Sequence, residues 1–138
     1  MIIRNDKVDI LVTFTDINVV QKDLFTPEHH KWLGSIQDNK TFKKRSFTYQ
    51  CNCKINPDAE SFLANLILDY KSVRDLDGFE DFCKEYGYSS NRYDYNTLKE
   101  FNKVKSLYNK MLRNADKVEF LFNQEQIEYL KEEYADKY

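Results

Sequence analysis

The sequence predicts an α+β fold, with an N-terminal antiparallel sheet of three to four strands followed by about four helices. In the first part of the chain, apolar side chains alternate with polar ones, which is the period of a strand; after residue 55 they recur at helical spacing. Strands that precede helices in this way are typical of the α+β class. The 138 residues fit one domain. We therefore expect a single domain that is mainly β over residues 1–55 and mainly α over residues 56–138.

The alternation of apolar and polar side chains predicts where the strands lie. Residues 8–15 carry an apolar side chain at every second position, and a weaker strand follows over 17–20. A short strand is predicted over 32–36, before a turn at 38–40. The clearest strand covers 46–55, where apolar and polar side chains alternate without a break. We expect one face of this sheet to meet the core and the other to meet water.

Capping residues place the first two helices. Asn56 can cap a helix whose first position is Pro57, and the helical pattern continues to about Val73. A second, short helix is predicted over 79–86, with Gly87 as its left-handed end.

Apolar spacing predicts two further helices. The longest carries an apolar stripe from Phe101 through Leu107 to Leu121, and Asn123 caps the last one. The segment 78–88 holds four aromatic side chains, a cysteine and two glycines. We interpret it as a structural latch between helices.

Composition excludes several classes of protein. No stretch of about 18 apolar residues is present, so no membrane helix is expected. The first residues lack a signal peptide, and three cysteines favour reduced thiols over a disulfide framework, so we expect a cytoplasmic protein. Ten Phe and ten Tyr predict a core built from rings. A net charge of −2 argues against a general nucleic-acid binder and against an acidic mimic of DNA.

Residues able to carry catalysis or bind a metal are few. His29, His30, Cys51 and Cys53 form the one group that could hold a metal, but Cys-x-Cys on one strand face is poor geometry for zinc. We interpret both thiols as buried. Cys83 has no recognisable base and is interpreted as packing. No catalytic, metal or cofactor residue is therefore assigned, and we expect a protein that is not an enzyme; metal-dependent catalysis through the His and Cys group is the alternative.

Positive charge is unevenly spread along the chain. Residues 40–45 hold four cations and no acid, and residues 99–117 hold six cations against two acids. Lys43, Lys44 and Arg45 adjoin the rings of the clearest strand, a mixture that suits single-stranded nucleic acid. Lysine at a strand edge also protects that edge from aggregation.

Tyrosines define a second surface. The predicted loop after the short helix carries Tyr88, Arg92, Tyr93 and Tyr95, which we expect to be exposed. We call it the tyrosine loop. Tyr and Arg are enriched at protein interfaces, because each offers contact area together with a polar group. The sequence therefore predicts a partner-binding loop here, with local packing as the alternative.

One order of segments is distinctive. Trp32 and a strand are followed by a helix led by Pro57, by Phe-Glu-Asp-Phe-Cys-x-x-Tyr-Gly-Tyr at 79–88, and by a long helix. This order resembles that of a widespread group of small phage-encoded and prophage-encoded proteins of unassigned function, over residues 30–130. The chain departs from the group in its N-terminal strands and in a longer loop at 89–96. The resemblance implies a phage origin and no catalytic residue.

These observations lead to two hypotheses of function. The favoured one is an anti-CRISPR-like inhibitor that occludes a host defence protein, such as a CRISPR effector nuclease, through the tyrosine loop and through Lys43, Lys44 and Arg45. The alternative is an accessory phage protein that binds nucleic acid through the basic strand edge and the basic helix. A homodimer through an exposed strand edge is compatible with either.

Overall fold

The protein forms a four-stranded antiparallel sheet followed by four helices, in a computed structural model that describes residues 1–20, 29–51 and 58–135. The strands are β1 (Ile2–Arg4), β2 (Asp9–Val20), β3 (His29–Asp38) and β4 (Lys44–Cys51). The helices are α1 (Ala59–Arg74), α2 (Phe79–Tyr86), α3 (Leu98–Leu121) and α4 (Gln124–Leu130). A 3₁₀ turn (Arg92–Asp94) precedes α3, and a π-helical turn (Lys131–Ala135) follows α4. The predicted α+β class is confirmed.

The sheet is a simple meander in the order β1-β2-β3-β4. Ile10, Val12, Ile36 and Phe47 are buried on the face covered by the helices, whereas on the opposite face Thr13 is exposed and its cross-strand partner Ser35 is buried. The strands predicted separately over 8–15 and 17–20 are one strand, with a register irregularity between Asp16 and Asn18. Such an irregularity interrupts the pairing pattern without ending the strand.

The turn predicted at 38–40 joins β3 to β4. The buried Asp38 carboxylate accepts hydrogen bonds from the backbone N–H groups of Lys40 (2.8 Å) and Thr41 (3.2 Å). Phe42 completes the turn in the left-handed region, at φ 63°, with its ring exposed. This turn presents Lys43 at the start of β4.

Helix α1 packs on the sheet through one apolar face. Its cap is Asp58, whose carboxylate accepts from the Glu60 N–H at 3.0 Å. Asn56 and Pro57, the predicted start, lie outside the described residues. The helix ends at Arg74, one residue beyond the predicted position. Its buried residues follow helical spacing and are Ala59, Phe62, Leu63, Leu66, Ile67, Tyr70 and Val73.

The contact between α1 and the sheet centres on Phe62. Its ring lies over Gly34 of β3, so closely that a Cβ on Gly34 would stand 2.9 Å from the Phe62 Cζ. The rings of Phe14, Phe47 and Tyr49 meet the Phe62 ring edge to face, with centroids at 5.1, 5.9 and 5.7 Å. Three strands and one helix therefore share a single aromatic cluster.

Helix α2 is the predicted latch. The Phe79 ring meets Phe101 and Tyr108 of α3, with centroids at 6.1 and 5.4 Å, and Phe82 packs on the same Tyr108 at 5.1 Å. The helix ends at Gly87 in the left-handed region, at φ 76°, as predicted. Cys83 is buried, and this burial raises the pKa of its thiol, as suits a packing residue.

Helices α3 and α4 close the structure. The Asn123 side chain caps α4 by accepting from the Gln126 N–H at 2.9 Å, as predicted. In return, the Gln126 side-chain oxygen accepts from the Asn123 N–H. Leu107, predicted to be part of the buried stripe of α3, is 41% exposed. It lies at the margin of the buried face, toward Tyr88 rather than the sheet.

Replacing Gly34 by alanine tests the seat of Phe62. The new methyl group forces the ring or the helix to shift, so we expect the free energy of unfolding to fall by about 1–3 kcal/mol in urea denaturation. In a Phe62→Leu background, Gly34→Ala should cost clearly less, because the smaller side chain leaves room. An equal loss in both backgrounds would show that the close contact is not the cause.

Candidate functional site

Five cations from two distant segments meet along the edge of the sheet. Lys43 directly precedes β4 and Arg45 is its second residue, and Lys110, Arg113 and Lys117 lie on one flank of α3. We call these five the basic surface. The Arg45 guanidinium lies 3.5 Å from the centroid of the Phe120 ring, and the Lys43 ammonium lies 5.2 Å from the same centroid. Stacking on Phe120 thus joins the strand cations to the helix cations.

Lys117 lies at the centre of the basic surface. Its ammonium donates to the Ser46 carbonyl of β4 at 2.8 Å and lies 5.2 Å from the centroid of the Phe47 ring. Burial lowers the pKa of Lys117, and the charges of Arg113 and Arg45 lower it further. These mutually repelling charges are held together by the packing of α3 on β4.

The five cations of the basic surface are not held in ion pairs within the described part of the chain. None of its five cations lies within ion-pair distance of a carboxylate in the described residues. The acids of α3 face elsewhere, since Asp116 and Glu119 each pair with Arg74 of α1 at 2.6 Å. A chain with a net charge of −2 therefore has a concentrated positive region.

A cleft of about 300 Å³ opens next to the basic surface, between β4, α1 and α3. Its walls combine aromatic rings, amides, a carboxylate and a lysine. The lining residues are Phe47, Thr48, Tyr49, Phe62, Asn65, Leu66, Asp69, Lys110 and Asn114. A smaller recess of about 130 Å³ adjoins it, where Lys31 joins Thr48, Tyr49 and Lys110. We call the larger space the α1–β4 cleft.

Polar groups converge inside the α1–β4 cleft. The Asn65 amide donates to the Tyr49 hydroxyl at 3.4 Å, and the buried Asn114 side chain lies beside the Asp69 carboxylate. Burial raises the pKa of Asp69, although the bond from Asn114 and the charge of Lys110 both act to lower it. The cleft therefore holds a partly desolvated acceptor beside amide groups that can donate or accept.

The tyrosine loop lies near the other half of α3. Tyr93 is 81% exposed and Tyr88 is 42% exposed, and the Arg92 guanidinium lies 5.1 Å from the centroid of the Tyr93 ring. The Asn91 side chain caps the 3₁₀ turn that carries these residues by accepting from the Tyr93 N–H at 3.0 Å. The loop is thus ordered and presents an aromatic and a cationic group together.

The predicted exposure of Tyr95 is wrong. Its ring packs against Phe101 with centroids 5.5 Å apart, and its hydroxyl donates to the Ser89 carbonyl at 2.8 Å. Tyr95 is therefore half-buried, and it holds the loop in place rather than offering a free ring.

The predicted site residues separate into two surfaces. Lys43 and Arg45 join the basic surface, whereas Lys44 is exposed on the opposite face of β4. Asn65, Asp69, Asn114 and Phe120 were not predicted as site residues. Of these four, only Phe120 could have been found from its sequence neighbours, because its ring follows Lys117 by three residues on a basic helix.

The metal hypothesis involves residues that are only partly described. The backbone register pairs His30 of β3 with Cys51 of β4, but the side chains of both, and of His29, are not among those described, nor is Cys53. In the described part of the chain, no group of three or more His, Cys, Asp or Glu side chains could hold a metal ion. The interpretation of Cys51 and Cys53 as buried thiols stays a prediction.

A larger depression, of about 570 Å³, lies between the β3–β4 turn and the start of α4. Its lining mixes acids with bases, and one such pair, Lys7 and Glu125, is already joined at 3.2 Å. Neither sign of charge dominates it, so it offers less to a charged ligand than the basic surface does.

Comparison with known proteins identifies no relatives: no protein-family model, curated protein or solved structure matches the chain. The resemblance to phage-encoded proteins therefore stays a prediction. Among the described helices, none is both long and apolar enough to cross a membrane.

Asp69→Asn tests the electrostatics of the α1–β4 cleft. The pKa of Asp69 is raised in the folded state, so stability is lost as pH rises from its ordinary value of 3.8 through the raised value. The asparagine carries no charge and can still accept a bond from Asn114. We expect the variant to be at least as stable as the natural protein near neutral pH, with the advantage fading as pH falls toward 3.8, in urea denaturation across that range. A variant that is less stable than the natural protein near neutral pH would contradict the cost of burying the charge.

Proposed function

We propose that the protein binds nucleic acid through the basic surface, and that it acts by covering the nucleic acid it binds. The observation that carries the proposal is the convergence of five cations, from β4 and α3, none of which forms an ion pair with a described carboxylate. Clustering like charges costs free energy unless an anionic partner offsets it. A polyanion is the partner that would offset it best.

Rings among the cations favour nucleic acid over an acidic protein. Phe120 stacks with Arg45 at the surface, and Tyr49 is half-buried at the mouth of the adjoining cleft. Proteins that bind single strands combine a positive groove for the phosphates with rings for the bases. An acidic protein would need the cations alone.

The uneven distribution of charge determines which face of the protein meets the nucleic acid. With a net charge of −2, the chain as a whole does not attract a polyanion, but the basic surface does. Binding should therefore orient the protein with β4 and α3 toward the ligand and leave the tyrosine loop outside. An accessory protein on a bound strand could use that loop for a second contact.

Salt dependence of binding tests this proposal. We expect fluorescence anisotropy with a labelled single-stranded oligonucleotide to show affinity that falls steeply between about 50 and 200 mM salt, with a log–log slope of about −0.7 per phosphate contacted. Lys110→Glu combined with Arg113→Glu should weaken binding and flatten the slope by about 1.4 or more. Both side chains are exposed, so the fold should tolerate the change.

Lys84→Glu is the matched control, because this exposed cation lies on α2, which packs against the opposite flank of α3. It should bind as the natural protein does. Absence of salt-dependent binding, or equal losses in the control and in the double variant, would refute the proposal. Equal affinity for a polyglutamate peptide would indicate an acidic protein as the partner instead.

The tyrosine loop supports a second candidate function, the occlusion of a host defence protein such as a CRISPR effector nuclease. The supporting observation is the exposed pair of Arg92 and Tyr93 on a capped turn. Residues of these types, held rigid before binding, are common at the centres of protein interfaces. Tyr88 and Leu107 extend the exposed apolar area beside them.

Alanine at Tyr93 and Arg92 tests this second candidate. If the loop binds a CRISPR effector nuclease, the double variant should lose about 2 kcal/mol or more of binding and should fail to inhibit the nuclease in a purified cleavage assay. Phe42→Ala removes an exposed ring elsewhere and should leave inhibition intact. Inhibition that is absent in the natural protein, or unchanged in the double variant, would exclude this role for the loop.

A further inference from the structure

Resting on the proposed function, we infer that the α1–β4 cleft takes one unpaired base of a bound single strand, and that it selects adenine and cytosine over thymine and uracil. The inference joins two neighbouring features, which share α3 and β4: the basic surface for phosphates and a ring-lined cleft with polar groups at its base. Lys110 belongs to both, since it lies on the basic flank of α3 and lines the cleft.

The size and lining of the cleft suit a planar, partly apolar ligand. Its volume of about 300 Å³ is at the lower end of the range for small-molecule sites. Phe47 and Phe62 lie almost wholly buried beneath it, and the half-buried Tyr49 stands at its side, so an inserted ring system would meet the aromatic surface of Tyr49. A base that enters such a cleft gains stacking energy whichever base it is.

The polar groups add selectivity. Asp69 is a carboxylate that can only accept hydrogen bonds when ionised, and Asn114 is already turned toward it. Adenine and cytosine each present an amino group that can donate to such an acceptor, whereas thymine and uracil present a carbonyl oxygen at the same place. A thymine would place its oxygen against the carboxylate. The cleft should therefore disfavour thymine and uracil.

Access to the cleft requires a single strand. In a duplex the edge of each base is paired, and turning one base out costs a few kcal/mol. Lys110 at the mouth and Lys31 in the adjoining recess can reach phosphates on either side of an inserted nucleotide. The remaining phosphates would then run toward Arg113 and Lys117 on the same flank of α3.

The position of Asp69 agrees with a binding role. A half-buried carboxylate that folding does not favour is a site where stability and function oppose each other. The Asn65 amide, which meets Tyr49 across the mouth, is exposed on its own helix and contributes little to the core. Both groups are placed for a ligand better than for packing.

The test compares labelled oligo-dC, oligo-dA and oligo-dT of equal length, and a duplex, by anisotropy with the full chain. We expect oligo-dC and oligo-dA to bind about 10-fold more tightly than oligo-dT, as one good base contact is worth about 1–3 kcal/mol. The duplex should bind more weakly than the oligo-dC strand. A 2-aminopurine placed in the strand should lose fluorescence on binding, as it stacks on the rings of the cleft.

Two variants separate the inference from the proposed function. Asp69→Asn should reduce the preference over oligo-dT to about 2-fold or less while leaving the salt slope unchanged, because no phosphate contact is lost. Asn65→Ala, on an exposed position, should weaken oligo-dC and oligo-dA more than oligo-dT. Glu80→Gln removes an exposed carboxylate on α2 and should change neither the preference nor the slope.

Each remaining outcome overturns either base insertion alone or both base insertion and the proposed binding of nucleic acid. Salt-dependent binding without base preference, or a preference that survives Asp69→Asn, overturns base insertion and leaves the proposed function standing. Duplex binding as tight as oligo-dC binding does the same. Failure to bind any of these nucleic acids overturns both.

Discussion

The seating of Phe62 over Gly34 is the contact on which the rest of the structure depends. Because Gly34 has no side chain, α1 approaches β3 closely enough for one ring to touch Phe14, Phe47 and Tyr49 from two other strands. The edge-to-face arrangement of these rings fixes the helix along the sheet as well as its distance from it. A bulkier residue at position 34 would push α1 away from the sheet.

The same contact creates the α1–β4 cleft. Asn65 and Asp69 follow Phe62 by one and two turns on the same side of α1, so seating Phe62 on the sheet carries both toward the edge strand β4. Helix α3 then closes the third wall with Asn114. The cleft thus arises where an aromatic cluster ends and polar side chains take over on the same helix face.

The distribution of charge on α3 gives the basic surface its position. One flank carries Lys110, Arg113 and Lys117, and the acids Asp116 and Glu119 turn away to pair with Arg74. This separation leaves the cations of this flank free of ion pairs with described carboxylates where α3 meets β4. The tyrosine loop, beside the other half of α3, is a distinct surface that a second partner could use without competing for the basic one.

Local signals allowed much of the fold to be predicted, but the cleft could not be. Gly87 and Asn123 were placed correctly because a left-handed stop and a cap depend on neighbouring residues. The irregularity in β2 and the packing of Tyr95 on Phe101 depend on contacts elsewhere and were missed. Basic residues near 43 and near 113 were both noted, but only the fold brings them together. Asp69 and Asn114 are far apart in sequence, so no spacing could relate them.

The most direct measurement of the central claim is an NMR titration of isotope-labelled protein with a short oligo-dC strand. We expect backbone shifts to concentrate at Lys43, Arg45, Lys110, Arg113 and Lys117, and the side-chain amides of Asn65 and Asn114 to shift with them at the same ligand ratio. Shifts confined to residues 88–95, or no shifts at all, would contradict this claim.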